Sequence, residues 1–581
     1  MAYRYLVWVN GIDDASAPVD YTNRSPEKLG DLALMRCTRI RNATVFVSND
    51  TPVLLFDNGA VLIGDLYDRN GRKVTDAAGL RCLTAQRDLR QRILDNYWGA
   101  YVLVQPGHDD TSFITVTRDP SSEIPCVHSP EGHFVTSAAS IAWRLGLCQK
   151  KVDWKFIEHC LVYPHMKVSR TGHVGIKELL PGCMLTITAR RTLVSSAWTP
   201  WSFCNAEHRP RNQADAAQTV RDTITMVVRT MSAVDNSILL ELSGGLDSSV
   251  IGSCLTNVNA RIVACNLISP LPGGDERRYA AQIANRLGVA LQQGLLDFDD
   301  AGIQFALPED SLRPSVSPIA RMAARVVNKL ADMEDVSSIY TGGGGDTVFC
   351  FIKSAAPALD ALHADGIKAF WKAIRNLSTI HRCTVFKATK LAFKKLCVPP
   401  TPPCKAMTSL LTNQRPAPPL DVHPWFDPPE GTLPGDCERV FELAGNQLFT
   451  DVMFRADNRR VRMPLLSQPV MEACLGVPSW MWVAGGHDRS VARAAFSETL
   501  PEDILHRRSK GSFMNYTYAL YCRNKKTIRR FLLDGCLCSR GLLDPDAINT
   551  FLNHQPAARD QSFTRIFDLC TIENWTRQHH Q

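Results

Sequence analysis

An apolar run that halts at two adjacent glycines sets the strongest constraint on this chain. Residues 238–249 read ILLELSGGLDSS, after which the apolar spacing changes from that of a strand to that of a helix. Strand, loop and helix together form an anion cradle. Gly244 and Gly245 let the backbone approach a phosphate closely, Ser243, Ser248 and Ser249 supply hydroxyls, and the following helix presents free N–H groups at the positive end of its dipole. Polyphosphate is the natural guest. Asp247 repels such a guest unaided, so its presence points to a bridging Mg2+, a hard cation that takes carboxylate and phosphate oxygens together. The loop lacks the GKS or GKT ending of a Walker A motif and belongs to a different class of phosphate loop.

A second segment repeats the arrangement. Residues 338–349 read SIYTGGGGDTVF, again a strand, a glycine-rich turn and an aspartate. Successive glycines permit backbone approach to a ligand, and Asp346 is a candidate to complete the Mg2+ site with Asp247.

Upstream of residue 200 the chain reads as short strands separated by turns. YRYLVWVN, ATVFVS, PVLLF, AVLIGDLY, AYVLVQP and SFITVTRD are rich in β-branched and aromatic residues, with Gly, Pro, Asn or Asp between them. This predicts an all-β or α+β layered region. After Trp201 the pattern alternates, predicting a helix over 213–232, a strand over 237–242, a helix from about 248, a strand over 261–268 and a helix over 276–287. Such βαβα order implies a parallel sheet with helices on its faces. A domain boundary near residue 205 follows, dividing the chain into 1–205 and 206–581. Eleven of the 34 prolines fall within residues 399–434, which therefore form neither a helix interior nor a central strand. The rings of His423, Trp425 and Phe426 embedded there favour a loop over an active site.

Composition excludes several classes. The 581 residues are 45% hydrophobic with no apolar run long enough to span a bilayer, and the start, MAYRYLVWVN, lacks the features of a signal peptide. A soluble, cytoplasmic protein is expected. The net charge of +7 reads as a mild excess diluted over the chain. Its densest basic stretches, KAFWKAIRNL and VFKATKLAFKKL, have helical spacing that predicts solvated helix faces. No zinc-finger spacing, RRM aromatic motif or KH context points to nucleic acid. The nineteen cysteines are an odd number without a CxxC, the pattern of buried reduced thiols rather than of a disulfide framework or zinc site.

The SGGLDSS string resembles the pyrophosphate loop of the ATP-pyrophosphatase superfamily, whose members cleave ATP to AMP and pyrophosphate while adenylating a substrate. TGGGGDTV is similar to the SGEG(S/A)DE segment of asparagine synthetases. RMPLL from Arg462, EACLGVP from Glu472, Arg493, Leu500-Pro501 and RSKGSF from Arg508 resemble that family's closing sequence. Gly64 to Arg69 (GDLYDR), Trp98 to Tyr101 (WGAY), Arg118-Asp119-Pro120 and Lys177 to Gly182 (KELLPG) resemble its amino-terminal glutaminase domain and the junction after it. The resemblance implies an α+β domain of the N-terminal nucleophile hydrolase type, followed by an α/β parallel-sheet ATP-pyrophosphatase domain. It also implies ATP and Mg2+ as cofactors. Ser243, Gly244, Gly245, Asp247, Ser248 and Ser249 would hold pyrophosphate, and Leu267, Thr341 and Gly342 would line the nucleotide. Asp247 and Asp346 would bind the metal, and Lys510 would stabilise developing charge. Arg489 occupies a place where the family carries a lysine, four residues before the arginine matching Arg493.

The departures bear on the substrate. The glutaminase of that family needs a cysteine directly after the initiator methionine, and position 2 here is Ala2, followed by Tyr3 and Arg4. The expectation is that no ammonia is released from glutamine and that the amine comes with the substrate. Gly343 stands where asparagine synthetases carry a glutamate, which removes an acid–base group and opens volume for a bulky acceptor. Together with the proline-rich PWFDPPEG loop, this makes the chain most similar to lasso-peptide macrolactam synthetases. These join the N-terminal amine of a linear precursor peptide to an Asp or Glu side chain, alongside a leader peptidase and a leader-recognition protein. A β-lactam-type or ammonia-dependent synthetase of small amino acids, and a silent peptide-binding scaffold, are the alternatives.

Overall fold

Among the described residues seventeen strands build three sheets. The computed structural model describes residues 3–10, 26–77, 89–107, 112–271, 273–298, 302–351, 353–398, 400–412, 417–452, 459–508, 511–554 and 560–580. Ala2 and Lys510 lie outside them.

The amino-terminal strands are β1 (Tyr5–Val9), β2 (Met35–Ile40), β3 (Ala43–Val47), β4 (Val53–Leu55), β5 (Val61–Asp68), β6 (Tyr97–Pro106), β7 (Ser112–Arg118), β8 (Val127–His128), β9 (Phe134–Thr136), β10 (Lys177–Glu178), β11 (Cys183–Thr188) and β12 (Thr192–Ser196). They form two six-stranded antiparallel sheets, ordered β10-β8-β9-β1-β3-β2 and β12-β11-β7-β6-β5-β4. Strand alternation explains the layering. Tyr5, Val7 and Val9 of β1 enter the core between the sheets with Val61, Ile63, Val102 and Val104. Leu6 and Trp8 point the other way, onto Ile141 and Ala142 of the helix Ala139–Arg144. On the opposite outer face the helix Leu89–Asn96 lays Leu89 and Ile93 on Leu62, Tyr101 and Leu103. The result is helix, sheet, sheet, helix, which is why these strands are apolar on both faces.

The third sheet is parallel: β13 (Ser237–Glu241), β14 (Arg261–Ile268), β15 (Leu291–Leu295), β16 (Ser338–Tyr340) and β17 (Arg460–Arg462), in the order β15-β14-β13-β16-β17. Strand order reverses between β13 and β16, and the crevice outside the carboxyl ends of strands at such a switch point is where open α/β sheets bind ligands. The helices Gln213–Ser232, Leu246–Cys254 and Arg277–Leu287, with β13 and β14, fall within two residues of where apolar periodicity put them. Among the described residues no helix is long and apolar enough to cross a membrane. The described cysteines are free thiols.

The sandwich and the parallel-sheet region are joined by ion pairs and hydrogen bonds. Glu472 accepts hydrogen bonds from Arg69 Nη1 (2.7 Å) and Trp198 Nε1 (3.0 Å), tying the helix Gln468–Gly476 to the turn after β5 and to the chain that follows β12. Arg118 donates to Glu178 Oε1 (2.8 Å) and to the Leu179 carbonyl (2.7 Å). Glu178 is also paired with Lys167 (3.1 Å) and Arg313 (2.7 Å), and these three cations hold its carboxyl far below the usual range against the opposing effect of burial. A shared core also crosses residue 205, since Phe156, Ile157 and Leu161 pack with Tyr516, Tyr521 and Trp575.

The proline-rich segment differs from the expectation. His423 and Trp425 are buried, Trp425 meets Trp198 edge-on at 5.7 Å, and Phe426 meets Phe441 at 5.4 Å. His423 is held between Gln447 Oε1 (3.0 Å) and the Trp425 N–H (3.0 Å). These rings are core anchors rather than a cover over a site. Pro424 starts a short 3-10 turn that aims them inward.

Candidate active site

Both glycine-rich loops emerge at the switch point and pack against each other. A Cβ on Gly342 would stand 2.7 Å from the Ser248 backbone nitrogen, and one on Gly345 would stand 2.5 Å from the Asp247 side chain. Glycine is required at both positions because the loops approach with only backbone between them. Ser243 and Ser248 share a hydroxyl–hydroxyl hydrogen bond of 3.2 Å, and the Ser248 hydroxyl also accepts from the Ser243 N–H at 3.2 Å. Gly245 caps the helix Leu246–Cys254, so its first N–H groups face the loop. Ser249 Oγ is buried without a hydrogen-bond partner, a spare donor at the start of that helix.

A cavity of about 710 Å3 opens over these loops. Ser243, Asp247 and Ser248 line it from the β13 side, Cys265, Asn266 and Leu267 from the end of β14, and Thr341 to Asp346 from the end of β16. Asn266 donates to the Leu242 carbonyl and leaves its Oδ1 buried without a partner beside the cavity. Phe351, Lys353, Pro403, Glu442 and Asn446 form the far wall.

Asp247 and Asp346 converge on one cation. Arg489 Nη1 lies 3.3 Å from Asp247 Oδ1 and 2.8 Å from Asp346 Oδ1. Its guanidinium also sits 5.2 Å from the Phe351 ring centroid. Arg489 therefore bridges the two carboxylates expected to hold Mg2+. Among the described residues no group of three or more His, Cys, Asp or Glu is placed for a metal. A pair of carboxylates suits Mg2+, which binds through one or two protein oxygens and completes its shell with phosphate and water.

Three residues that sequence reasoning missed shape the site. Glu241, at the end of β13, lines the cavity; burial pushes its carboxyl up to about 7, partly offset by a hydrogen bond from Thr341. Arg507 donates to the Gly244 carbonyl (2.8 Å) and stacks on Tyr279 at 3.9 Å. Glu276 accepts from Arg507 and from the Gly511 N–H (2.8 Å). Glu276 thus clamps both flanks of the stretch bearing Lys510. Arg493, buried against the carbonyls of Ile504, Leu505 and Arg507, holds the approach to it. A charged residue within an apolar strand was the available signal for Glu241. Nothing local marks Glu276 or Arg507.

Serine hydroxyls, close-packed glycine loops and converging carboxylates gather at the switch point of an α/β parallel sheet. The family model for asparagine synthase matches residues 219–577, more than half of the chain, and the chain belongs to that family, whose members are ATP-dependent amide-forming ligases. No curated protein matches the chain. A solved structure titled the allosteric regulatory enzyme of purine biosynthesis aligns at 10% identity over 56% of this chain and 81% of its own, with a TM-score of 0.19.

Proposed function

We propose that this chain is an AMP-forming lasso-peptide cyclase: it adenylates an Asp or Glu side chain of a linear precursor peptide and closes a macrolactam with the peptide's N-terminal amine. The observation that carries this reading is the cavity. Its volume lies in the upper half of the range of about 300–1,000 Å3 usual for small-molecule sites, and Gly342, Gly343 and Gly344 present backbone alone to it. That space would receive a nucleotide together with a bulky acyl group.

The residues fit the groups they would hold. Ser243 and Ser248, which line the cavity, and the backbone of Gly244 and Gly245 would offer hydroxyl and N–H donors to pyrophosphate, while Ser249 is fully buried behind them. Leu267, Thr341 and Gly342, which line the cavity, would flank the nucleoside. Asp247 and Asp346 already converge on one cation, which suits Mg2+; that ion would supply charge neutralisation at the phosphates. A side-chain carboxylate oxygen attacks the α-phosphorus of ATP and the bond to pyrophosphate breaks. The N-terminal amine then attacks the acyl carbon, the acyl–oxygen bond breaks, AMP leaves and the amine loses a proton. Lys510, outside the described residues, would stabilise charge in both steps, with Glu276 fixing its neighbours Arg507 and Gly511. Holding amine and adenylate together supplies an effective molarity unavailable in bulk water.

The amino-terminal sandwich is proposed to be a disarmed glutaminase-like domain of the N-terminal nucleophile hydrolase type. Its layering of two antiparallel sheets between helices supports that reading. Tyr3 donates to Asp65, which is paired with Lys73 (2.8 Å) and Arg460 (3.4 Å), so this end of β1 is occupied by an ion-pair cluster. The protein would act in the cytoplasm with a leader peptidase and a leader-recognition protein. Incubation with candidate linear peptides, ATP and Mg2+, followed by assay of AMP and of peptide mass, tests the proposal. Consumption of ammonia or of a small amino acid, with peptides inert, would overturn it.

A further inference from the structure

The positive charge of this chain is concentrated in one segment rather than diluted. Residues 366–420 contain ten Lys and Arg and no Asp or Glu, more than the +7 of the whole chain, so the remainder is net acidic. Two helices, Ile367–Ile380 and Val385–Cys397, make up much of it. The second is seated with its small side chains inward: Ala388 and Ala392, one turn apart, pack against the core of Phe370 and Leu377. Its large side chains face out. Phe386 is 81% exposed and Leu396 51%, with Val385, Leu391 and Phe393 also exposed, and Trp371 of the first helix is exposed as well. Exposed Lys387, Lys390 and Lys394 interleave with them. A solvated face would carry the lysines without the rings; exposed apolar surface rimmed by charge marks an interaction site.

Position and charge select the occupant. The chain on either side of this helical region lines the cavity: Phe351 and Lys353 precede the helix Ala356–Asp365 that leads into the pair, and Pro403 follows it. Lys395 pairs at 2.6 Å with Glu438, one helical turn from cavity-lining Glu442. A second copy of so basic a face would repel this one. We propose that this surface docks an acidic and apolar stretch of the peptide substrate, lying outside the cavity that receives the reacting carboxyl. This rests on reading the cavity as a peptide-adenylating site, and it adds the class of peptide taken.

Fluorescence anisotropy of the full chain with a labelled synthetic peptide containing Glu, Phe and Leu, without ATP or Mg2+, reads docking alone. Binding should weaken with added salt, and by about tenfold when the peptide's Glu are replaced by Gln or when Lys387, Lys390 and Lys394 are all changed to Glu. Phe386→Ala should weaken it without lowering Tm, because this side chain is exposed. Equal binding of the Glu and Gln peptides, or unchanged affinity in the lysine variant, would overturn the proposal. So would capture by phosphatidylserine vesicles that the lysine variant loses while its peptide affinity stays the same. ATP turnover is measured separately: docking that survives where no peptide elicits AMP counts against the adenylating reading and leaves the docking surface standing.

Discussion

The Arg489 guanidinium lies 2.8 Å from the Asp346 carboxylate, across 143 residues of sequence, and the same nitrogen reaches Asp247 at 3.3 Å. One cation thus holds together the two carboxylates that the glycine-rich loops contribute. Arg489 is expected to keep them apposed and then to face the phosphates as Mg2+ and ATP enter. Arg489→Ala should tighten binding of Mg2+ to the nucleotide-free protein, measured by calorimetry, while lowering kcat by about 10²–10³, as removal of a charge-stabilising donor does. Unchanged kcat would remove Arg489 from the reaction.

Gly342→Ala tests the apposition of the loops. The added methyl would sit 2.7 Å from the Ser248 nitrogen, with backbone that cannot swing away. The variant should stay folded and bind ATP at least about tenfold more weakly, since the cradle depends on that backbone geometry. Titration with a fluorescent ATP analogue reads the change.

Glu241 gives the site a pH dependence. Its carboxyl, pushed by burial up to about 7 from the usual 4.5, is protonated below that pH and becomes an anion above it. An anion in the nucleotide cavity opposes a triphosphate, so the Kd for ATP should rise as pH increases through about 7. Glu241→Gln should flatten this profile. Stability follows the same sign: between the unfolded value of 4.5 and about 7 the native state holds a proton that the unfolded chain releases, so stability falls across that window.

Glu178 is the opposite case. Lys167, Arg313 and Arg118 hold its folded carboxyl well below its unfolded value of 4.5, so its contribution is present above about pH 4.5 and is lost as pH falls below it. Glu178→Gln leaves three buried cations short of an anion and should destabilise the protein by about 3–5 kcal/mol. Denaturant unfolding at neutral pH measures the loss, which should shrink in acid.

Much of this architecture was legible in the sequence because it is local. Runs of β-branched and aromatic residues between turn residues placed β1, β3 and β5, helical spacing placed Gln213–Ser232, and the paired glycines of SGGLDSS placed a loop between β13 and the next helix. Pairings across long separations were not legible: nothing near Glu276 reveals that it holds Arg507 and Gly511. One expectation failed for a physical reason, and another held for the exposed lysines alone. The rings of His423 and Trp425 sit among prolines yet are buried, because Trp198 from the distant junction supplies the surface they cover. The helix Val385–Cys397 turns Ala388 and Ala392 inward and Phe386 outward, reversing the rule that the larger apolar face is the buried one.

The most direct measurement follows the fate of a linear peptide bearing an Asp or Glu several residues from a free amino terminus, incubated with the protein, ATP and Mg2+. An AMP-forming cyclase should yield AMP and pyrophosphate in equal amounts with a peptide lighter by one water, resistant to aminopeptidase, and no product from an N-acetylated control. ADP in place of AMP, or the same product yield from the acetylated peptide, would contradict that activity.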